Sequence, residues 1–395
     1  MEIPLGFRFA GVRCGIKKSG KPDFTLIVAD RDSVAAGVYT QNQVVAAPVV
    51  LSRSRTPGPI RAVVVNSGNA NACTGEKGMQ NAIETTNWVA QAVGCRPDQV
   101  VVMSTGIIGH HLPMEKIARG VTTAHQELQP GAEGFLAAAD AILTTDNGRK
   151  VSSQAVEVAP GITAKIAGMA KGAGMIGPNM ATMLGIVITD FPLTPQQAQQ
   201  ALQHAADRSF NRISVEGHTS TNDTLVLLSS NELKGVSSSD AGSLNRFQQA
   251  LTDMCIELAK KIPADGEGAT HVIEIQVTGA QSDHSAAKIA RTIADSPLVK
   301  TAITGGDPNW GRIVSAAGYA GEPIEPERMA LTIQGIQVYD GGAPVPFDAP
   351  QASAAIRNHK DVKLVLTVGV GPGQATFWTS DLTCDYVRFN SDYST

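Results

Sequence analysis

The sequence predicts an α+β fold built in layers. Helical stripes and strand-like runs gather in blocks, where a doubly wound parallel sheet would alternate them one for one. Several of the strand runs are almost continuously apolar, as strands covered on both faces should be. The third observation is size. A chain of 395 residues, 43% hydrophobic and 17% charged, has a globular composition and ample surface to bury. That length suits two or three domains or one large body.

Taken in order, residues 24–29 (FTLIVA), 62–65 (AVVV) and 100–103 (VVVM) read as strands, the last ended by a turn at Ser104-Thr105-Gly106. Between the last two, Met79, Ile83, Ala90 and Val93 recur at near-helical spacing and predict an amphipathic helix over about 77–93. Thr194-Pro195-Gln196-Gln197 carries a helix start, with Thr194 as cap, Pro195 at the first helical position and Gln197 completing a capping box. Leu244, Phe247, Leu251, Met254, Cys255 and Leu258 form a second helical stripe, and 286–294 a third helix. Strands follow at 271–277, 331–333 and 363–368, then a Gly371-Pro372-Gly373 turn and extended structure at 376–378. No repeat period and no low-complexity linker marks a domain boundary.

Composition narrows the function. With 32 Lys+Arg against 36 Asp+Glu the formal charge is −4, which argues against a nucleic-acid partner held by a general basic surface. Cys14, Cys73, Cys95, Cys255 and Cys384 are far apart and never form a C-x-x-C pair. A disulfide framework or zinc site is not expected, and a reducing compartment fits. His110-His111 lacks the companions of a histidine metal site. The N-terminal residues carry no basic segment followed by an apolar core. The nearest candidate for a span, 164–188, is broken by Lys165, Lys171, Pro178 and Asn179. A cytoplasmic protein without a membrane partner is the expectation.

The most informative stretch runs from Lys171 through Gly172, Gly174 and Gly177 to Thr182 and the apolar residues that follow. Its glycines match G-x-G-x-x-G. A dinucleotide site needs a helix directly after the motif. Only six residues separate Gly177 from the apolar run at Leu184, whereas a crossover helix needs about ten or more. The residues alone allow two readings. In one, a glycine-rich turn delivers Ala181-Thr182 to the start of a buried strand. In the other, Thr182 is a nucleophile. A threonine hydroxyl needs an adjacent base, and a cut before Thr182 would supply one as the new α-amine.

That segment, together with several blocks in the same order, strongly resembles the ornithine acetyltransferases of arginine biosynthesis, also called glutamate N-acetyltransferases. The blocks are 66–75 (NSGNANACTG), 104–109 (STGIIG), 144–146 (TTD), 209–212 (SFNR), 220–223 (STND), 307–312 (DPNWGR) and 390–395 (NSDYST). The resemblance extends from about residue 5 to the last residue.

The resemblance implies self-cleavage between Ala181 and Thr182, giving an α chain of 1–181 and a β chain of 182–395. It implies an αββα layered sandwich built by both chains, and an (αβ)2 heterotetramer. Thr182 would take an acetyl group from N-acetylornithine, with its own α-amine as base, and pass it to glutamate. Thr105 and Gly106 would stabilise the oxyanion with one hydroxyl and one backbone N–H. Thr145, Lys171, Glu267, Asn390 and Thr395 would contact the substrates, the last by a docked C-terminal tail. No cofactor or metal is implied, although some members of the family also use acetyl-CoA as a donor.

Glu216 and His218 stand where the family often has aspartates, and Thr304 where it often has an aromatic; none is assigned a role. Two other readings stay open. An amidohydrolase or aminopeptidase of the same fold would pass the acyl group to water. A small-molecule binding protein would never be cut.

Overall fold

The computed structural model describes residues 1–177 and 183–392. Ala181, Thr182 and Thr395 therefore lie outside the described residues. Along the chain run β1 (Phe7–Val12), β2 (Phe24–Tyr39), β3 (Gly58–Asn69), β4 (Val100–Ile107), β5 (Lys150–Ala159), β6 (Ile162–Lys171) and β7 (Leu184–Thr189). The short β8 (Ile213–Ser214) leaves for a second sheet, and β9 (Thr224–Ser229) returns to the first. The first sheet has the order β4-β3-β2-β9-β7-β6-β5, with β1 added on β2. It is mixed: β3–β4 and β7–β9 are parallel and the other pairs antiparallel.

One strand makes this sheet into two layers. β2 spans 16 residues, and its middle residues Asp30, Arg31 and Asp32 are exposed. Its ladder with β3 shifts register between Val28 and Ser33. The first part pairs with β1 and β3; the second part keeps β3 only over Ser33–Ala35 and takes β9 as a new partner over Val34–Tyr39. Alternation along the strands then sorts the side chains. Val63, Val65, Val101 and Met103 from one half share a cluster with Met169, Ile186, Ile188, Val226 and Leu228 from the other. The opposite-facing Leu26, Val28, Val64 and Val102 pack with helices Gly75–Val93 and Met114–Gln126. Ile166, Val187, Leu225 and Leu227 pack with helices Pro195–Arg208 and Ala241–Ala264. The order is helix, sheet, sheet, helix. The α+β layered sandwich is thus the architecture of the first sheet and its helices.

The remaining strands, β10 (Val272–Ala280), β11 (Ala330–Ile333), β12 (Ile336–Asp340), β13 (Ala343–Pro344), β14 (Asp361–Thr367) and β15 (Gly373–Ser380), form the second sheet. Its order is β13-β12-β11-β14-β10-β15-β8. It has a core of its own, in which Ile273, Ile275, Val277, Leu364 and Leu366 meet helices Asp283–Ala294 and Trp310–Gly318. The two units join where Trp378 of β15 enters the cluster under helix Ala241–Ala264.

The predicted capping box is present. Gln197 N donates to Thr194 Oγ1 at 3.3 Å and Thr194 N to Gln197 Oε1 at 3.0 Å. The helix expected over 77–93 is Gly75–Val93. One expectation needs correction. Ser104, Thr105 and Gly106 do not form the turn after a strand. They lie inside β4, still paired to β3 through Ser67↔Thr105 and Gly68↔Gly106. The parallel partner is long enough to carry the ladder past the apolar run.

Candidate active site

The site is assembled at the ends of strands from both halves of the first sheet. β4 brings Thr105 and Gly106. Gly106 has φ +131°, and a Cβ there would stand 2.3 Å from the carbonyl carbon of Gly68. Only glycine fits this close crossing of two backbones. β6 ends at Lys171, whose Nζ donates to Thr105 Oγ1 at 3.2 Å across 66 residues of sequence.

Lys171 is 2% exposed. Burial pushes its pKa below the ordinary lysine value, and the Asp146 carboxylate opposes that fall. Asp146 accepts Gly172 N at 2.7 Å and Lys150 Nζ at 2.6 Å. Burial alone would raise the Asp146 pKa, but Lys171 and Lys150 outweigh it and hold it at about 2. Lys150 Nζ also donates to Asp265 Oδ2 at 2.6 Å, and Asp265 accepts from both Asn147 N and Asn147 Nδ2 at 3.0 Å. These contacts tie the loop carrying Thr145 to the loop carrying Glu267.

Glu267 is placed from three directions. Its N–H donates to Ala173 O at 2.9 Å. Its carboxyl group lies over Gly174, where a Cβ would come within 2.4 Å of Oε2. Asn390 Nδ2 donates to Glu267 Oε2 at 3.1 Å. Asn390 sits on the C-terminal helix Cys384–Asp392, none of whose residues is buried. That helix is fastened by Thr383 Oγ1 to Gly268 O at 2.7 Å.

Thr105, Gly106, Thr145, Lys171, Glu267 and Asn390 all line one cleft. Of the nine residues singled out in the sequence, these six are brought together, and Ala181, Thr182 and Thr395 lie outside the described residues. The first described residue after Thr182 is Met183. Its N–H donates to Asp223 Oδ1 at 2.9 Å, and the neighbouring Asn222 lines the cleft.

Sequence reasoning assigned no role to Ser220, Thr221 and Asn222, which form one wall. Asn222 Nδ2 donates to Ala70 O at 2.6 Å and Ser104 O at 2.8 Å, joining the start of β9 to the ends of β3 and β4. The available signal was a polar run, STND, directly before an apolar strand. Among the described residues no group of histidine, cysteine and acidic side chains could hold a metal ion, and no helix is long and apolar enough to cross a membrane.

Residues 8–395 match the model of the ArgJ family. This chain belongs to the ArgJ family. An arginine biosynthesis bifunctional protein ArgJ from Rhodopirellula baltica is 55% identical over 400 residues, covering 100% of this chain and 96% of that protein. One of the same name from Symbiobacterium thermophilum is 46% identical, covering 100% and 98%. The crystal structure of an ArgJ protein from Bacillus halodurans is 40% identical with a TM-score of 0.51, and covers 53% of this chain and 98% of the solved one. As an ArgJ family member the chain is an enzyme.

Proposed function

We propose that this enzyme moves the acetyl group of N2-acetyl-L-ornithine to L-glutamate through an acetyl ester on Thr182, after cutting itself between Ala181 and Thr182 into chains 1–181 and 182–395. The observation that carries the reading is the convergence of the Thr105 hydroxyl, Gly106, the Lys171 ammonium and the Glu267 carboxyl on one cleft. That cleft's wall continues through Asn222 into Asp223, which holds Met183. A second support is chain length. The Bacillus halodurans chain is covered almost fully by 53% of this chain, close to the share that 182–395 represents.

Each step has a group suited to it. Thr182 Oγ attacks the acetyl carbonyl while the freed α-amine takes its proton. The developing oxyanion is met by the Thr105 hydroxyl and the Gly106 N–H. Lys171 donates to Thr105 Oγ1, which leaves the threonine's own hydrogen free to point at the oxyanion. Collapse breaks the amide C–N bond and releases ornithine, whose amine receives the proton from the α-ammonium. The amine of glutamate then attacks the ester and restores the Thr182 hydroxyl. Glu267 and Asn390 bind the charged ends of the amino-acid substrates, with Thr145 and Thr395 as further contacts, and two αβ pairs assemble into a heterotetramer.

The test is product analysis. Protein supplied with acetylornithine and glutamate should yield acetylglutamate in step with ornithine, and Thr182→Ala should yield neither. Free acetate in place of acetylglutamate would make the enzyme a hydrolase.

A further inference from the structure

The two ends of the segment 177–182 are held by one other stretch of chain. On the N-terminal side, the carbonyl oxygen of Ile176 accepts three successive backbone N–H groups, from Val215 at 2.9 Å, Glu216 at 3.3 Å and Gly217 at 3.1 Å. A carbonyl has two lone pairs and ordinarily takes one or two partners. Convergent N–H groups of this kind form a concave nest. The left-handed backbone of Gly217, φ +81°, closes it. Gly177 lies against its rim, where a Cβ would stand 2.7 Å from the carbonyl carbon of Gly217.

On the C-terminal side, Met183 N donates to Asp223 Oδ1 at 2.9 Å and Met183 O accepts from Thr224 N at 3.2 Å. The β7–β9 ladder begins at the next residue, Leu184↔Thr224. Both anchors thus belong to residues 214–224. That stretch is itself fixed by the end of helix Asp283–Ala294 and by the helix Pro297–Thr304 that follows it. Lys300 Nζ donates to Val215 O at 2.6 Å, and Ser214 Oγ to Asp295 Oδ1 at 2.6 Å. At its other end Asn222 is bonded to Ala70 O and Ser104 O.

We propose that residues 214–224 are a clamp that presents the Ala181–Thr182 bond for cleavage, with Gly217 and Asp223 as positioning residues. The proposal rests on the self-cleavage reading above. The reaction served is hydrolysis of one amide: the Ala181–Thr182 C–N bond breaks, one water is consumed, and Ala181 gains a carboxylate while Thr182 gains an α-amine. The clamp forms no covalent bond. It fixes both ends of a six-residue segment, which removes most of the conformational search for a productive geometry. It also outlasts the cut. Ile176 would stay bound to residues of the other chain, and Met183 would keep its bond to Asp223, so the nucleophile's place does not depend on the intact peptide.

The test follows the appearance of cut chains by intact mass during expression and purification. Gly217→Val puts a β-branched side chain where φ is positive, and should slow cutting at least about tenfold. Gly217→Asn tolerates that backbone and should recover most of the rate. Asp223→Ala removes the acceptor for Met183 N and should slow cutting to a similar degree. The same substitutions placed in the uncut Thr182→Ala chain should leave its Tm within about 10 °C, which separates positioning from folding. Wild-type cutting with unaffected Gly217→Val and Asp223→Ala would overturn the clamp alone. So would an Asn variant no faster than the Val variant. A wild-type chain that stays whole would remove the self-cleavage reading and the clamp with it.

Discussion

Lys171 Nζ lies 3.2 Å from Thr105 Oγ1, and both side chains are buried. An ammonium donating to a hydroxyl oxygen polarises the O–H bond and orients the hydrogen away from itself. The pair joins the end of β6 to the end of β4, from opposite halves of the bent sheet. It makes the hydroxyl a better donor to negative charge forming in the cleft.

Thr105→Val keeps the shape and removes the donor. The expected result is a fall in kcat of about 10²–10³-fold with little change in KM, because the interaction strengthens only as charge develops. Steady-state acetyl transfer checks it. An unchanged kcat would remove Thr105 from oxyanion stabilisation.

Asn390→Ala should act in the opposite sense. Asn390 reaches Glu267 from a largely exposed helix, so its loss should raise the KM for an amino-acid substrate severalfold while leaving Tm within about 2 °C. Equal KM values in variant and parent would count against a binding role.

The buried set around Lys150 predicts acid lability. The Asp146 pKa falls from 3.8 to about 2 in the folded chain. A depressed folded value stabilises above the unfolded pKa, and that stability is lost as pH drops from about 4 toward 2. The contribution is of order 2 kcal/mol. Asp146→Asn should flatten that part of the Tm-against-pH curve and, by leaving Lys150 short of a partner, lower stability at neutral pH by about 3–5 kcal/mol.

Glu216 predicts the reverse slope. Both its carboxyl oxygens are buried without hydrogen-bond partners among the described residues. Burial, reinforced by Glu267 and opposed by Lys300, raises its pKa from 4.5 to about 8. The folded state then binds the proton more tightly than the unfolded state, so stability falls as pH rises between about 4.5 and 8. Glu216→Gln should remove that decline and raise stability near pH 8 by on the order of a few kcal/mol. Parallel Tm curves for variant and parent across that window would contradict the assignment.

What was legible in the sequence was local. The apolar runs 62–65 and 100–103 sit inside β3 and β4, and the Thr194 box caps its helix, because alternation and capping are properties of neighbouring residues. The bend of β2 was not legible: its exposed Asp30-Arg31-Asp32 looks like a loop until β3 is seen to pair on both sides of it and β9 on one side only. Nor was the pairing of the second sheet: most of its strands could be read one by one, but its parallel partners β10 and β14 lie far apart in sequence. In the cleft, Lys171 by itself reads as a surface charge. Its burial depends on Asp146, brought alongside by the β5–β6 hairpin, and on Thr105 from another strand. Asp223 drew no attention because its partner, the backbone of Met183, has no side-chain signature.

The central claim is that Thr182, freed at the head of its own chain, carries the acetyl group. The direct measurement is the intact mass of the denatured protein before and after a rapid quench with acetylornithine. In proportion to 181 and 214 residues of a 41.2 kDa chain, two species of about 19 and about 22 kDa are expected. After the quench, the larger alone should be heavier by one acetyl group, placed on its first residue. A single species near 41.2 kDa, or an acetyl group found anywhere but Thr182, would contradict the account.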